Sequence, residues 1–135
     1  MPSHKVFQVI VIQTSMAGRA FARTHFDSHG LVHGQDYMSF HHPKEAVGFI
    51  DPAKPQLVLT SHSEGVNAFV VAEEVKKLNS TAMVFAWTSN QIGDRKRTCL
   101  DGRVSKNLVP PLVSDFVKAF LAGKSKKYLL GMVEE

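Results

Sequence analysis

The sequence predicts an α/β domain in which a doubly wound, five-stranded parallel sheet carries helices on both faces. Three observations lead there. Residues 55–90, PQLVLTSHSEGVNAFVVAEEVKKLNSTAMVFAWTSN, hold two apolar runs that each end in a polar cluster, with an amphipathic segment between them. That is the grammar of a strand–helix–strand unit. The runs are apolar at successive rather than alternate positions, as in strands buried on both faces. The same succession recurs along the chain, and such alternation implies parallel pairing through right-handed crossovers.

Taken in order, residues 5–12, KVFQVIVI, are rich in β-branched residues and read as the first strand, ended by Gln13-Thr14-Ser15. A helix follows from Met16 to about Ser28, with Ser15 as its N-cap and Gly30 past its end. Ala17, Ala20, Phe21 and Thr24 are its expected inner stripe. Residues 31–40 hold a weaker strand, interrupted by Gly34, Gln35 and Asp36. Pro43 suits a first helical turn, so Lys44 to Ile50 read as a short helix that Asp51-Pro52 stops. The central strands fall at 56–60 and 82–87, with a helix from about Val66 to Leu78 between them, closed by Asn79-Ser80. Residues 91–100, QIGDRKRTCL, suit a short helix with a basic outer face, and Arg103-Val104-Ser105 a brief last strand.

After Pro110-Pro111, the residues Leu112, Phe116, Phe120 and Val113, Val117, Leu121 recur at i, i+4 and give a final helix that Gly123 ends. The expected core includes Val9, Val11, Leu57, Leu59, Val70, Val84, Ala86, Phe116 and Phe120. Five strands alternating with helices in 135 residues suit a flavodoxin-like sheet of order 2-1-3-4-5. The expected division is a domain over 1–122 and a tail over 123–135. The tail carries a small apolar patch, Tyr128-Leu129-Leu130, suited to docking on the body or on a partner.

Hydrophobic residues make up 44 % and charged residues 21 %, as in globular proteins that live in water. No apolar run approaches the length of a membrane span, and the first ten residues lack a signal peptide's apolar core. The single cysteine, Cys99, excludes an internal disulfide and suits the cytosol. A cytoplasmic protein without membrane contact is therefore expected. The formal charge is +4, with basic groups at Arg95-Lys96-Arg97 and at Lys124, Lys126 and Lys127. No aromatic residues interleave with them, so they read as solvated faces rather than a nucleic-acid surface.

Several stretches resemble the receiver domains of two-component response regulators, over roughly residues 5–122. Glu45-Ala46-Val47 through Pro55-Gln56-Leu57-Val58-Leu59 is similar to that family's second helix and third strand. Asn67-Ala68, Glu73 to Leu78 and Val84 to Ser89 continue the likeness, and Asp101-Gly102-Arg103-Val104-Ser105-Lys106 resembles the last strand with its closing lysine. The resemblance implies a pocket at the strand ends. A working receiver places a carboxylate pair after strand 1 for Mg2+ and an aspartate after strand 3 to accept a phosphoryl group. A hydroxyl after strand 4 and a lysine after strand 5 contact that group.

Here Gln13 and Thr14 stand at the carboxylate positions, and Ser61 (or Thr60, if the register slips by one) at the acceptor. Thr88 and Lys106 match the hydroxyl and the lysine. Neutral side chains cannot replace a carboxylate pair for a hard cation. Arg103 occupies the aromatic switch position, Asn107 follows the lysine where proline is usual, and the region between Thr88 and Lys106 is short. The likeness is thus to a degenerate receiver, or pseudo-receiver. It implies no catalytic residue, no metal and no cofactor. It also implies a protein partner, from a signalling or output pathway, or a second copy of the chain. The contact face would include Arg95, Lys96, Arg97 and Arg103.

The residues themselves also suggest other chemistries. Lys106 beside Ser61 and Thr88 could hold an anion or another small molecule, which is the main alternative function. His25 and His29 at i, i+4, with His33, His41 and His42 close in sequence, invite a metal. No cysteine pair or HExxH accompanies them, so surface histidines are the simpler reading. Ser61-His62-Ser63-Glu64-Gly65 is comparable with the G-x-S-x-G nucleophile elbow, yet its first glycine is absent and no Asp–His pair can be assigned. Thr14 to Arg19 form a strand-to-helix turn where backbone N–H groups could meet the phosphate of a nucleotide or flavin, but a single glycine is a weak signal.

Overall fold

A computed structural model describes residues 7–62, 66–88, 99–106 and 112–133. Five strands are present among them: β1 Val9–Ile12, β2 Met38–Phe40, β3 Leu57–Thr60, β4 Met83–Trp87 and β5 Gly102–Val104. The helices are α1 Met16–Ser28, α2 Pro43–Val47, α3 Ala68–Leu78, α4 Val113–Leu121 and α5 Lys126–Met132. The strands form one sheet in the order β2-β1-β3-β4-β5, and every pairing is parallel. The doubly wound fold with strand order 2-1-3-4-5 is therefore the one the sequence predicts.

Every residue of β1 and β3 is buried, which explains the unbroken apolar runs. Their odd and even positions face different layers. Val9, Val11, Leu57, Leu59, Phe85 and Trp87 meet Ala22 and Phe26 of α1 and Phe116, Val117 and Phe120 of α4. Ile10, Ile12, Val58, Val84 and Ala86 meet Ala46 of α2 and Val71, Ala72 and Val75 of α3. Removing this much apolar surface from water is the main stabilising term of such a fold.

Two expectations about helix faces are overturned. In α1 the buried residues are Gly18, Ala22, His25 and Phe26, whereas Ala17, Ala20 and Thr24 are exposed. The cause is close approach at the start of the helix: a Cβ on Gly18 would lie 2.8 Å from Gln13 Oε1 and 2.9 Å from Ser15 Oγ. The glycine face therefore turns inward, and Ala22 and Phe26 follow it at i+4 spacing. Phe21 is left at the margin, its ring 6.0 Å from that of Trp87. Val70 was expected in the core and is 47 % exposed. Ala68, Val71, Ala72 and Val75 occupy the inner stripe of α3, which places Val70 on the opposite side.

The caps fall where the sequence places them or one residue away. Ser15 Oγ accepts from the Gly18 amide at 2.8 Å, and Gly123, at φ +85°, ends α4 in the left-handed region that favours glycine. The stretch with the Tyr128-Leu129-Leu130 patch forms α5, with Leu129 fully buried in the first layer and Tyr128 52 % exposed. The helix expected over 91–100 falls mostly on 89–98, outside the described residues, as do Ser63, Arg95, Lys96, Arg97, Asn107 and Pro110-Pro111.

Candidate functional site at the carboxyl edge of the sheet

All five strands end on one edge, and the polar clusters that follow β1, β3, β4 and β5 converge there. Gln13 extends β1 by donating its amide to Phe40 O at 3.0 Å, and its side chain is buried, the residue only 2 % exposed. Lys106 Nζ donates to Gln13 Oε1 at 3.0 Å. Gln13 Nε2 in turn donates to Trp87 O at a long 3.5 Å. One amide side chain thus ties together the ends of β1 and β4 and the segment after β5. The Lys106 ammonium also lies 5.5 Å from the centre of the Trp87 ring, within cation–π range. Burial pushes the Lys106 ammonium below its ordinary value.

The hydroxyl residues take different roles. Thr60 is fully buried and its hydroxyl donates to Ser61 O at 3.1 Å. Ser61 continues the β3 pairing, its amide donating to Ile12 O at 2.8 Å. Its own Oγ is buried without a hydrogen-bond partner among the described residues. Thr88 Oγ1 donates to His62 O at 3.5 Å. His62 Nδ1 accepts the Ala68 amide at 3.0 Å, which ties that ring to the first turn of α3. Arg103 is half-buried and donates through one terminal nitrogen to Thr88 O at 3.1 Å, which fixes the predicted switch position against the end of β4. Thr14 contributes its carbonyl, which accepts from Arg19 at 3.1 Å, next to the Gln13 carbonyl at 3.0 Å.

The six predicted pocket residues are thus gathered at one edge, and none is acidic. They carry an amide, four hydroxyls and one partly desolvated ammonium. Such a set can donate hydrogen bonds to an anion but supplies none of the anionic oxygens a hard cation prefers. Among the described residues no group of three or more His, Cys, Asp or Glu is placed to hold a metal ion. The His25 and His29 rings do lie close, their centres 4.6 Å apart and their planes tilted by 41°, but His29 Nδ1 is engaged with His25 O at 2.8 Å. Burial and the neighbouring His29 hold His25 below its ordinary value. His41 meets Glu45 at 2.8 Å, and His42 Nδ1 caps α2 by accepting the Lys44 amide. Sequence reasoning missed the parts of Trp87 and Arg19. Both act across turns or strands, and no local spacing announces such contacts.

No protein-family model matches the chain, and no curated relative does. Solved structures do. Response regulator protein TrrA from Thermotoga maritima, in complex with Mg2+-BeF, is similar with a TM-score of 0.63 at 16 % identity, over 84 % of this chain and 97 % of that one. TrrA in complex with the histidine kinase ThkA gives a TM-score of 0.64 at 17 % identity, over 86 % of this chain and 99 % of that one. A two-component response regulator of the LuxR family, from an Aurantimonas species, gives 0.60 at 14 % identity, over 95 % of each chain. At these identities the likeness establishes a receiver-like fold.

Proposed function

We propose that this chain is a pseudo-receiver, a signalling module that acts through protein–protein contacts without aspartyl phosphorylation and without catalysis. The observation that carries the reading is the 3.0 Å hydrogen bond from Lys106 Nζ to Gln13 Oε1. Phosphoryl transfer of the receiver type needs a carboxylate acceptor and a bound cation to offset charge on the transferred oxygens. In this pocket the lysine is occupied by a neutral amide at the very position where the resemblance would put a metal-binding carboxylate. The domain then rests in one conformation, and regulation comes from abundance, a ligand or the partner itself. That TrrA is solved with a histidine kinase supports a protein partner for this chain as well. Residues 1–122 form the signalling domain, in the cytoplasm, and the contact face includes Arg95, Lys96, Arg97 and Arg103.

Two measurements test it. Incubation with acetyl phosphate and Mg2+, followed by intact mass, should show no phosphoryl adduct. An adduct on Ser61 or Thr60 would replace the reading with a phosphorylated switch. In a sedimentation or partner-binding assay, charge reversal at Arg95 and Arg97 should weaken association while Lys106→Ala leaves it nearly intact. The rival is a small-molecule or anion-binding module using Ser61, Thr88 and Lys106, favoured by a Ser61 hydroxyl that has no partner among the described residues. Loss of activity from Lys106→Ala alone, with folding preserved, would favour that rival.

A further inference from the structure

A second polar site lies between α1 and the sheet's edge strand. An open cleft of about 360 Å3 is lined by Met16, Arg19, Ala20, Arg23, His33 and Ser39. The α1 residues recur at i, i+3, i+4 and i+7, so they share one face of the helix. Met16 stands 79 % exposed at that face. On the other wall, β2 is the outermost strand among the described residues. The Ser39 amide donates to His33 Nε2 at 3.4 Å, and the Ser39 hydroxyl is buried with no partner among the described residues. A buried hydroxyl left unpaired is costly, so a group that reaches it gains a hydrogen bond without displacing one.

The cleft offers donors. Arg19 is held in place by one terminal nitrogen, which spans the carbonyls of Gln13 and Thr14, leaving the rest of its guanidinium fork for other partners. Arg23 has an acidic neighbour in Asp27, at 3.7 Å and well exposed, a pairing of little strength. His33 accepts at Nε2, so its neutral ring carries its proton on Nδ1 and is itself a donor. Burial and the nearby charge of Arg23 both favour that neutral form.

We propose that this cleft binds a small organic oxyanion, its phosphate or carboxylate group held by Arg19, Arg23 and the Ser39 hydroxyl and its apolar body lying over Met16 and Ala20. The planar guanidinium fork matches such oxygens. The volume falls in the range of small-molecule sites. The inference is independent of the pseudo-receiver reading: none of these residues is among the six predicted pocket residues, and Arg19 meets them only at the Gln13 and Thr14 carbonyls.

The test uses the full chain, labelled with 15N, titrated with phenyl phosphate, inorganic phosphate and citrate in separate arms at constant ionic strength. Saturable amide shifts at Ala20, His33 and Ser39 are expected. Phenyl phosphate should bind more tightly than inorganic phosphate, and Met16→Gln should remove that advantage. Saturation by the phosphates assigns a phosphate ligand, and saturation by citrate alone assigns a carboxylate. Arg23→Gln, an exposed change that keeps the fold, should weaken binding about tenfold, the effect of losing one charge-assisted contact. Ser39→Ala should weaken it as well, and Lys106→Met should leave it unchanged. The proposal is overturned if no arm saturates at about 10 mM, beyond the millimolar affinity of even weak specific ligands, or if Arg23→Gln binds as the native chain does.

Discussion

At the amino end of the sheet, Asp101 accepts from Lys76 at 2.8 Å, from Lys126 at 2.7 Å and from the Val84 amide at 2.8 Å, with its side chain 5 % exposed. Next to it, Gln56 is 1 % exposed and uses both ends of its amide: it donates to Phe7 O and Phe49 O, and accepts from the Asp51 amide and Asn79 Nδ2. At the carboxyl end, Ser61 Oγ has no partner among the described residues, and two of the pocket's hydrogen bonds stretch to 3.5 Å. Both ends bury polar groups, but the Asp101 and Gln56 side chains find partners where Ser61 Oγ finds none among the described residues. A satisfied network fixes a single arrangement, whereas under-satisfied groups collect where a fold meets ligands or partners. In open parallel sheets that place is the carboxyl edge. Around Asp101 and Gln56 the amino edge is thus more tightly tied than the carboxyl edge is around Ser61 and Thr88.

The sharpest way to break that contrast is Asp101→Ala. Removing the carboxylate strips Lys76, whose side chain is 19 % exposed, of its partner, and leaves the Val84 amide unpaired. Lys126 is 53 % exposed and loses little. A loss of about 2–4 kcal/mol is expected, below the full cost of breaking a deeply buried pair. It would be read from urea denaturation. A loss under about 1 kcal/mol, the scale of an exposed pair, would make the two edges equivalent.

A paired comparison comes next. Gln56→Leu removes hydrogen bonds to two carbonyls and one amide, and one of the three acceptors of Asn79 Nδ2, and should cost about 2–3 kcal/mol. Ser61→Ala removes a hydroxyl with nothing to lose among the described residues, and should change stability by less than about 0.5 kcal/mol, or raise it slightly. The same denaturation series measures both. Equal losses would show that Ser61 is as well satisfied as Gln56.

How legible each region was in the sequence follows from how local its causes are. The strands could be read directly, because Val9–Ile12 and Leu57–Thr60 are buried at every position and a run of apolar residues says so without reference to anything distant. Helix phase was harder. Phe21 and Phe26 lie on different faces of α1, and the sequence alone offers either as the anchor. The decision rests on Gly18 fitting against Gln13 Oε1, a contact of tertiary origin. In α3 the adjacent Val70 and Val71 posed the same choice, and the sheet took Val71. The strand-end residues Gln13, Thr60, Ser61 and Thr88 were legible because each ends or follows an apolar run, and Lys106 through the resemblance of residues 101–106 to a last strand with its closing lysine. The bond that joins Gln13 to Lys106 crosses 93 positions and depends on the order of four strands. The Asp101 network was invisible for a similar reason, since its lysines come from α3 and α5.

The smallest expected effect separates the edges by pH. Lys106→Met gives up the hydrogen bond to Gln13 and also the cost of burying an ammonium, so at neutral pH the net change should stay within about 1 kcal/mol. The pH dependence is more telling. Burial lowers the Lys106 value from 10.5 in the folded chain. At pH values below that lowered value the lysine is charged in both states, and the burial penalty is constant. Between the lowered value and 10.5 the folded chain has released a proton that the unfolded chain still holds. The unfolded state then binds more protons, so stability rises with pH across that window. The native chain should therefore gain on Lys106→Met as pH climbs toward 10.5, with the other lysines and tyrosines cancelling in the difference. Urea midpoints of the two chains, taken across alkaline pH, measure it. A flat difference would mean that water reaches the Lys106 ammonium freely, and the carboxyl edge would then carry no desolvated charge to set it apart from the amino edge.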